Sequence, residues 1–174
     1  VTRNGVGGID SHQVIYERLQ GEGKDLPERT LRIAISGNFP VGGRKSLESG
    51  IWLAASVASR ILGDPLLDRE FQFRITGRGD GPSAGALQAI AVLALLQGDK
   101  ILPGVAMTGT VLPDGGVGLV GGVRQKLKGA KKGGMKKVLL PGHLRTETDR
   151  ETGEVTDLAS YGKELGIEVI FVTS

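Results

Sequence analysis

Residues 77–98 read GRGDGPSAGALQAIAVLALLQG, a turn of glycines and one proline running directly into thirteen residues that are almost all apolar. The break between the two halves decides the fold. Gly77, Gly79, Gly81 and Pro82 exclude regular structure before Ser83, whereas residues 84–96 have helical length and close on Gly98, the residue that most readily takes the left-handed cap. This helix is apolar on nearly every side, so it is expected in the middle of the molecule, covered on more than one face.

On the N-terminal side, residues 71–75 (FQFRI) alternate as a strand, and the stripe Leu47, Ile51, Ala54, Ala55, Ala58, Ile61, widened by Leu53 and Val57, predicts a helix from Ser46 that Gly63 and Pro65 end. Residues 31–35 (LRIAI) give a further strand and residues 36–45 a turn-rich connection. In residues 1–30 at most one or two short strands are expected, with a polar loop over 20–29. On the C-terminal side come a short strand at 105–107, a glycine-rich hairpin over VLPDGGVGLV (111–120), a helix over 122–132 ended by Gly133 and Gly134, and a strand over 137–140 stopped by Pro141. An acidic polar loop, a helix over 155–165 and a strand over 169–172 complete the chain. Strands alternating with helices indicate an α/β domain of α+β type with a mixed sheet and about four helices, its topology open. Neither a repeat nor a linker divides residues 1–174, so one domain is expected.

Composition bounds the chemistry. The chain has 174 residues, 39% apolar and 24% charged, enough to bury a core despite 29 glycines. With no Cys, disulfides, thiolate catalysis and cysteine-bound zinc are out, and two His rule out a histidine-rich metal centre. The longest apolar run falls well short of the roughly 20 residues that span a bilayer, and no basic-then-apolar leader opens the chain. A soluble protein in a reducing compartment, the cytoplasm, is expected. A start at Val1 rather than Met fits a piece cut from a longer protein.

Three polar side chains stand out. Ser83 lies at a helix start, where unpaired backbone amides can stabilise an oxyanion, although Ser is also a preferred helix cap. Its base must come from elsewhere. His12 and His143 lie in polar, loop-like contexts without partners for a Ser-His-Asp triad. Seven basic residues and no acid occupy 124–137. At about 100° per residue, Lys126 borders the apolar face of that helix on one edge and Lys131 borders it on the other, so the wheel leaves two candidates. An ammonium drawn into low dielectric among like charges has a lowered pKa, as a base for serine needs, while a snorkelling stem is the plainer alternative for either lysine. Thr108, at a strand end in AMTG, offers a hydroxyl that could hold a lysine amine, or is simply a strand-end threonine. The basic patch lacks interleaved aromatics, which argues against a nucleic-acid partner. GGVGLVGG is not a dinucleotide fingerprint and no phosphate-loop motif occurs, which argues against ATP hydrolysis by this chain.

Together, GDGPSAGALQAIAVLALLQG and VAMTGTVLPDGGVGLVGGVRQKLKGAKKGGMKKVLLP resemble the proteolytic domain of the Lon protease family, closely over 80–141 and more faintly at VGGRKSLESGIWLAASVAS (41–59). The resemblance implies a serine endopeptidase with a serine-lysine dyad: Ser83 as nucleophile, Lys126 rather than Lys131 as general base, Thr108 supporting the lysine, and Asp80 at the acidic position ahead of the nucleophile. It further implies unfolded polypeptide substrates, no metal, and a homo-oligomer of six subunits in a ring. The N-terminal part lacks the family's G-L-A-W-like strand, and no ATPase module is present, so no cofactor is expected in this chain and ATP acts only through a separate module. Two alternatives are a catalytically silent Lon-like domain that assembles around nucleic acid and a stand-alone peptidase supplied with substrate by another domain. Retention of both Ser83 and Lys126 argues against the silent form.

Overall fold

A computed structural model describes residues 10–19, 30–39, 43–77 and 81–174. Asp80 and the polar loop expected over 20–29 lie outside the described residues. In chain order the elements are β1 (Ser11–Arg18), β2 (Arg32–Gly37), α1 (Gly43–Leu62), β3 (Arg69–Thr76), α2 (Gly85–Gln97), β4 (Val105–Met107), β5 (Thr110–Val111), β6 (Val117–Gly118), α3 (Val123–Lys132), β7 (Lys137–Pro141), β8 (Thr146–Thr148), β9 (Val155–Asp157), α4 (Leu158–Glu164) and β10 (Glu168–Val172).

The fold is α+β, with four helices among the described residues and the strands divided between two three-stranded sheets and two ribbons. In the first sheet, β3 lies between β1 and β2, antiparallel to β1 with Val14 opposite Phe73 and parallel to β2 with Ile35 opposite Phe73. The second sheet, ordered β10-β7-β4, is parallel throughout. Strand and helix periods alone cannot distinguish one sheet from two, because the pattern along a strand does not name its neighbour.

Each sheet has its own core. On the first, Phe71, Phe73 and Ile75 of β3 pack with Leu47, Ile51 and Ala58 of α1 and Val92 of α2. The second joins Val123, Leu127 and Ala130 of α3 to Val138, Leu140, Leu158 and Ile167. A third cluster packs Ala54 and Val57 of α1 against Ala89 of α2 and Val111 of β5. The α1 stripe is buried as the heptad-like spacing predicts except at Ile61, which is 54% exposed on the last turn. The helix α2 is covered by α1 on one side and by the first sheet on another, but Ile90 opens to solvent, so the expected full enclosure is incomplete. Gly98 ends α2 at φ 76, donating its amide to Ala94 O.

Three boundaries differ from the sequence expectation. The N-terminal strand β1 is eight residues long and contains His12, placed in a loop above, because His12, Val14 and Tyr16 share one face and the latter two enter the first core. The last helix starts at Leu158 rather than 155. Residues Val155–Asp157 pair instead with Thr146–Thr148, and the Asp157 carboxylate caps α4 by accepting from Ser160 N at 2.7 Å. Pro141 closes β7 rather than following it. The ring is tolerated there because β4 ends opposite Leu139, which leaves no strand on that side to take a ladder bond. Among the described residues, no helix is long and apolar enough to cross a membrane.

Candidate active site

The turn ahead of α2 is held by glycines where chain meets chain. Gly81 takes φ 80, and a Cβ on Gly50 of α1 would meet Pro82 Cα and Cβ at 3.3 Å, so α1 packs directly on the Gly81-Pro82 turn. Ala84, not Ser83, occupies the cap position of α2, and among the described residues no side chain bonds the first-turn amides there. The capping role open to Ser83 is therefore unused. Gly85 N–H donates to Pro82 O at 2.9 Å and Ala86 N–H to Gly109 O at 3.1 Å, whereas the Ser83 and Ala84 amides have no acceptor among the described residues.

Ser83 is fixed through its carbonyl. Its oxygen accepts from Gly109 N at 2.8 Å and from Thr108 Oγ1 at 3.2 Å, so the segment after β4 clamps the residue from one side. Thr108 is 7% exposed and continues β4, donating its own amide to Leu139 O of β7 at 3.1 Å. Lys126, half-buried on α3, donates from Nζ to Thr108 Oγ1 at 3.0 Å. A threonine hydroxyl has one proton, and here it goes to Ser83 O, so only oxygen lone pairs face the lysine. The Lys126 N–H is thus directed at Thr108, and any nitrogen lone pair on a neutral amine is directed elsewhere.

Three of the four residues singled out from the sequence are therefore joined in the order Lys126, Thr108, Ser83, while Asp80 lies outside the described residues. Lys131, the other lysine on the edge of the α3 wheel, is exposed. The histidines are elsewhere. His143 is exposed on the turn after β7, and His12 Nδ1 is 3.3 Å from Gln88 Nε2 of α2. Burial lowers the His12 pKa from its ordinary 6.5 against the opposing pull of Asp10. Among the described residues, neither ring hydrogen-bonds Ser83.

One contact of the lysine helix was not anticipated. The N-cap of α3 is Gly122, at φ 66 and without a side chain, and both oxygens of Glu147 on β8 take its place: Val123 N donates to one at 2.9 Å and Arg124 N to the other at 2.8 Å. Arg124 in turn reaches Asp149 Oδ2 at 3.5 Å. Amides of the turn at Thr152 and then Glu151 hold the Asp149 carboxyl below its usual range. A cavity of about 550 Å³ opens here, lined among others by Val120, Gly122, Gln125, Leu144 and Arg150. A helix that starts on glycine was the available signal, since its first amides then need an acceptor from outside the helix.

The sequence profile of the Lon protease C-terminal proteolytic domain matches residues 77–165, just over half of the chain. The Lon protease of Rhizobium meliloti (strain 1021) is 36% identical over 169 residues, 92% of this chain and 20% of that protein. The Lon protease of Brucella suis biovar 1 (strain 1330) is 34% identical over the same length, and that of Lachnoclostridium phytofermentans 40% identical over 95 residues, 55% of this chain and 11% of the relative. The chain thus spans only a tenth to a fifth of the length of these curated relatives. With that match laid over the turn, strand end and helix that carry Ser83, Thr108 and Lys126, the chain belongs to the Lon protease family, as a peptidase domain of the Lon type.

Proposed function

We propose that the chain is a serine endopeptidase in which Ser83 and Lys126 form a catalytic dyad acting on unfolded or misfolded polypeptides. The observation that carries this is the hydrogen-bonded series from Lys126 Nζ through Thr108 Oγ1 to Ser83 O. Neutral Lys126 removes the Ser83 proton as Oγ attacks a peptide carbonyl, forming the C–O bond and moving the carbonyl π electrons onto oxygen. Amides of Ser83 and Ala84, which have no acceptor among the described residues, are the donors proposed for that oxyanion. The Lys126 ammonium then returns its proton to the departing amine as the C–N bond breaks, and a water, deprotonated by the same lysine, releases the acyl group from Ser83.

The family membership supports the wider setting: residues 1–174 as one proteolytic domain in the cytoplasm, assembled as a homohexamer. ATP is used only where a separate ATPase module feeds substrate. Asp80 is proposed to support the dyad, as the family membership suggests.

A fluorophosphonate serine reagent tests the assignment directly. Peptide mapping is expected to find a single adduct, on Ser83, in the 174-residue chain, and none when Lys126 is changed to Met. An adduct that forms equally fast without the lysine sinks the dyad. Thr108→Val, which keeps the shape and removes the hydroxyl, is expected to lower kcat about tenfold to a hundredfold with KM little changed, the loss of one or two hydrogen bonds at about 1.4 kcal/mol per decade. Steady-state cleavage of a fluorogenic peptide reads both constants.

A further inference from the structure

We infer that Glu147 is a positioning residue for the dyad: its carboxylate, brought in by the β8–β9 ribbon, fixes the first turn of α3 and through it the direction in which Lys126 leaves the helix. The inference rests on the Ser83-Lys126 assignment and extends it to a residue that touches neither reacting atom.

The geometry is that of a borrowed cap. A serine, threonine or aspartate at the cap position would satisfy one of the first amides of the helix, but Gly122 has no side chain and sits at φ 66. Glu147 satisfies two, at Val123 and Arg124, from 23 to 24 residues further along the chain. A carboxylate at this end also opposes the positive pole of the helix. Lys126 belongs to the same turn, its amide donating to Gly122 O at 3.0 Å. The side-chain amine must then reach Thr108, the residue after β4, with an N···O distance of 3.0 Å. If the turn unwinds or slides, that distance is the first to change.

The ribbon is built to hold the carboxylate still. Glu147 pairs with Thr156 across the two strands. Asp149 Oδ1 accepts from Glu151 N at 2.9 Å and Thr152 N at 3.0 Å, closing the connecting turn, while Arg124 bridges from α3 to Asp149 and, at 4.0 Å, to Glu154. Helix and ribbon are thus locked at two successive residues of α3, on the rim of the cavity beside it.

The test compares Glu147→Ala, Glu147→Gln and, as a control on the same ribbon, the exposed Glu151→Ala, each in the whole 174-residue chain at a temperature where circular dichroism shows it folded. The readouts are the rate of Ser83 modification by the fluorophosphonate, kcat and KM for a peptide, and hydrogen exchange at the Val123 and Arg124 amides. Glu147→Ala is expected to slow Ser83 modification and kcat about tenfold to a hundredfold with KM within about twofold, as a misplaced catalytic group does. Exchange at the two amides rises in parallel. Glu147→Gln, which keeps one acceptor oxygen but turns an NH2 donor toward the second amide, recovers part of the rate, and Glu151→Ala matches the parent. Modification of Glu147→Ala at the parental rate overturns the inference while leaving the dyad standing, provided Ser83→Ala is not labelled. A loss of rate in Glu147→Ala with exchange at the Val123 and Arg124 amides unchanged also overturns it, since the first turn of α3 would then still be held. Labelling that survives Ser83→Ala removes the dyad and this inference together.

Discussion

Lys126→Met is expected to lower kcat for peptide hydrolysis by about a thousandfold, the scale of a lost general base, without unfolding the chain. Methionine has nearly the length of lysine and no proton-accepting nitrogen. The apolar packing of α3 comes from Val123, Leu127 and Ala130, all on the second core, so the substitution leaves the hydrophobic anchorage of the helix in place. Thr108 still donates to Ser83 O, since that bond uses its own proton. Lys126→Arg is the sharper variant. It keeps a positive charge and donors within reach of Thr108, but a guanidinium does not lose its proton in a protein and cannot serve as a base. If the role of Lys126 were only to supply positive charge, the arginine form would retain much of the rate. A base predicts that it falls as far as the methionine form. Ser83→Ala is expected to be as inactive, and the double variant Ser83→Ala with Lys126→Met no worse than either single change, because two groups that act as one unit do not lose rate additively. More than about a tenth of the parental kcat in Lys126→Arg would exclude the base role.

The same residues show what the sequence could and could not tell. Helix ends were legible because glycines mark them chemically: Gly98 takes the left-handed conformation after α2, and Gly133 and Gly134 follow α3. The core faces of α1 and β3 followed from their periods, since Leu47, Ile51, Phe71 and Phe73 repeat at the spacing of the element that carries them. The choice between Lys126 and Lys131 was not legible in the wheel. Both border the apolar stripe, and only the arrival of Thr108 beside one edge separates them, a fact of tertiary structure that helical period does not encode. Glu147 was missed for a related reason. Three residues, TET, are too few to show strand alternation inside a charged segment, so its position opposite the amides of α3 depends on a pairing with Val155–Asp157 that was assigned to a helix. His12 was misplaced because β1, the strand that contains it, carries the polar residues Ser11, Gln13 and Glu17 on its open face.

Gly109→Val is expected to cost about 1–3 kcal/mol of stability and, more tellingly, about a hundredfold in kcat, because the same glycine is both a packing contact and a part of the clamp on Ser83. A Cβ at this position would lie 2.5 Å from Val117 Cγ1, closer than side chains approach, and 3.6 Å from Ala86 Cβ. Val117 cannot simply swing away. It is a β-branched residue, buried at 6% exposure, and its strand is paired with β5 at Val111. The backbone of Gly109 must therefore move, and both of its peptide groups are engaged with the segment that carries Ser83: its amide donates to Ser83 O at 2.8 Å and its carbonyl accepts from Ala86 N at 3.1 Å. Displacing them shifts Ser83 relative to Thr108 and so relative to Lys126. The strain is steric rather than conformational, and removing the obstruction should relieve it. Val117→Ala added to Gly109→Ala is expected to restore kcat toward that of Val117→Ala alone, a coupling between neighbours that independent sites do not show. Thermal unfolding and peptide cleavage measured on the four members of this cycle give the coupling in stability and in rate. Additive losses in both would mean that the glycine is not kept small by Val117, and a parental kcat in Gly109→Val would mean that the backbone after β4 does not set the position of Ser83.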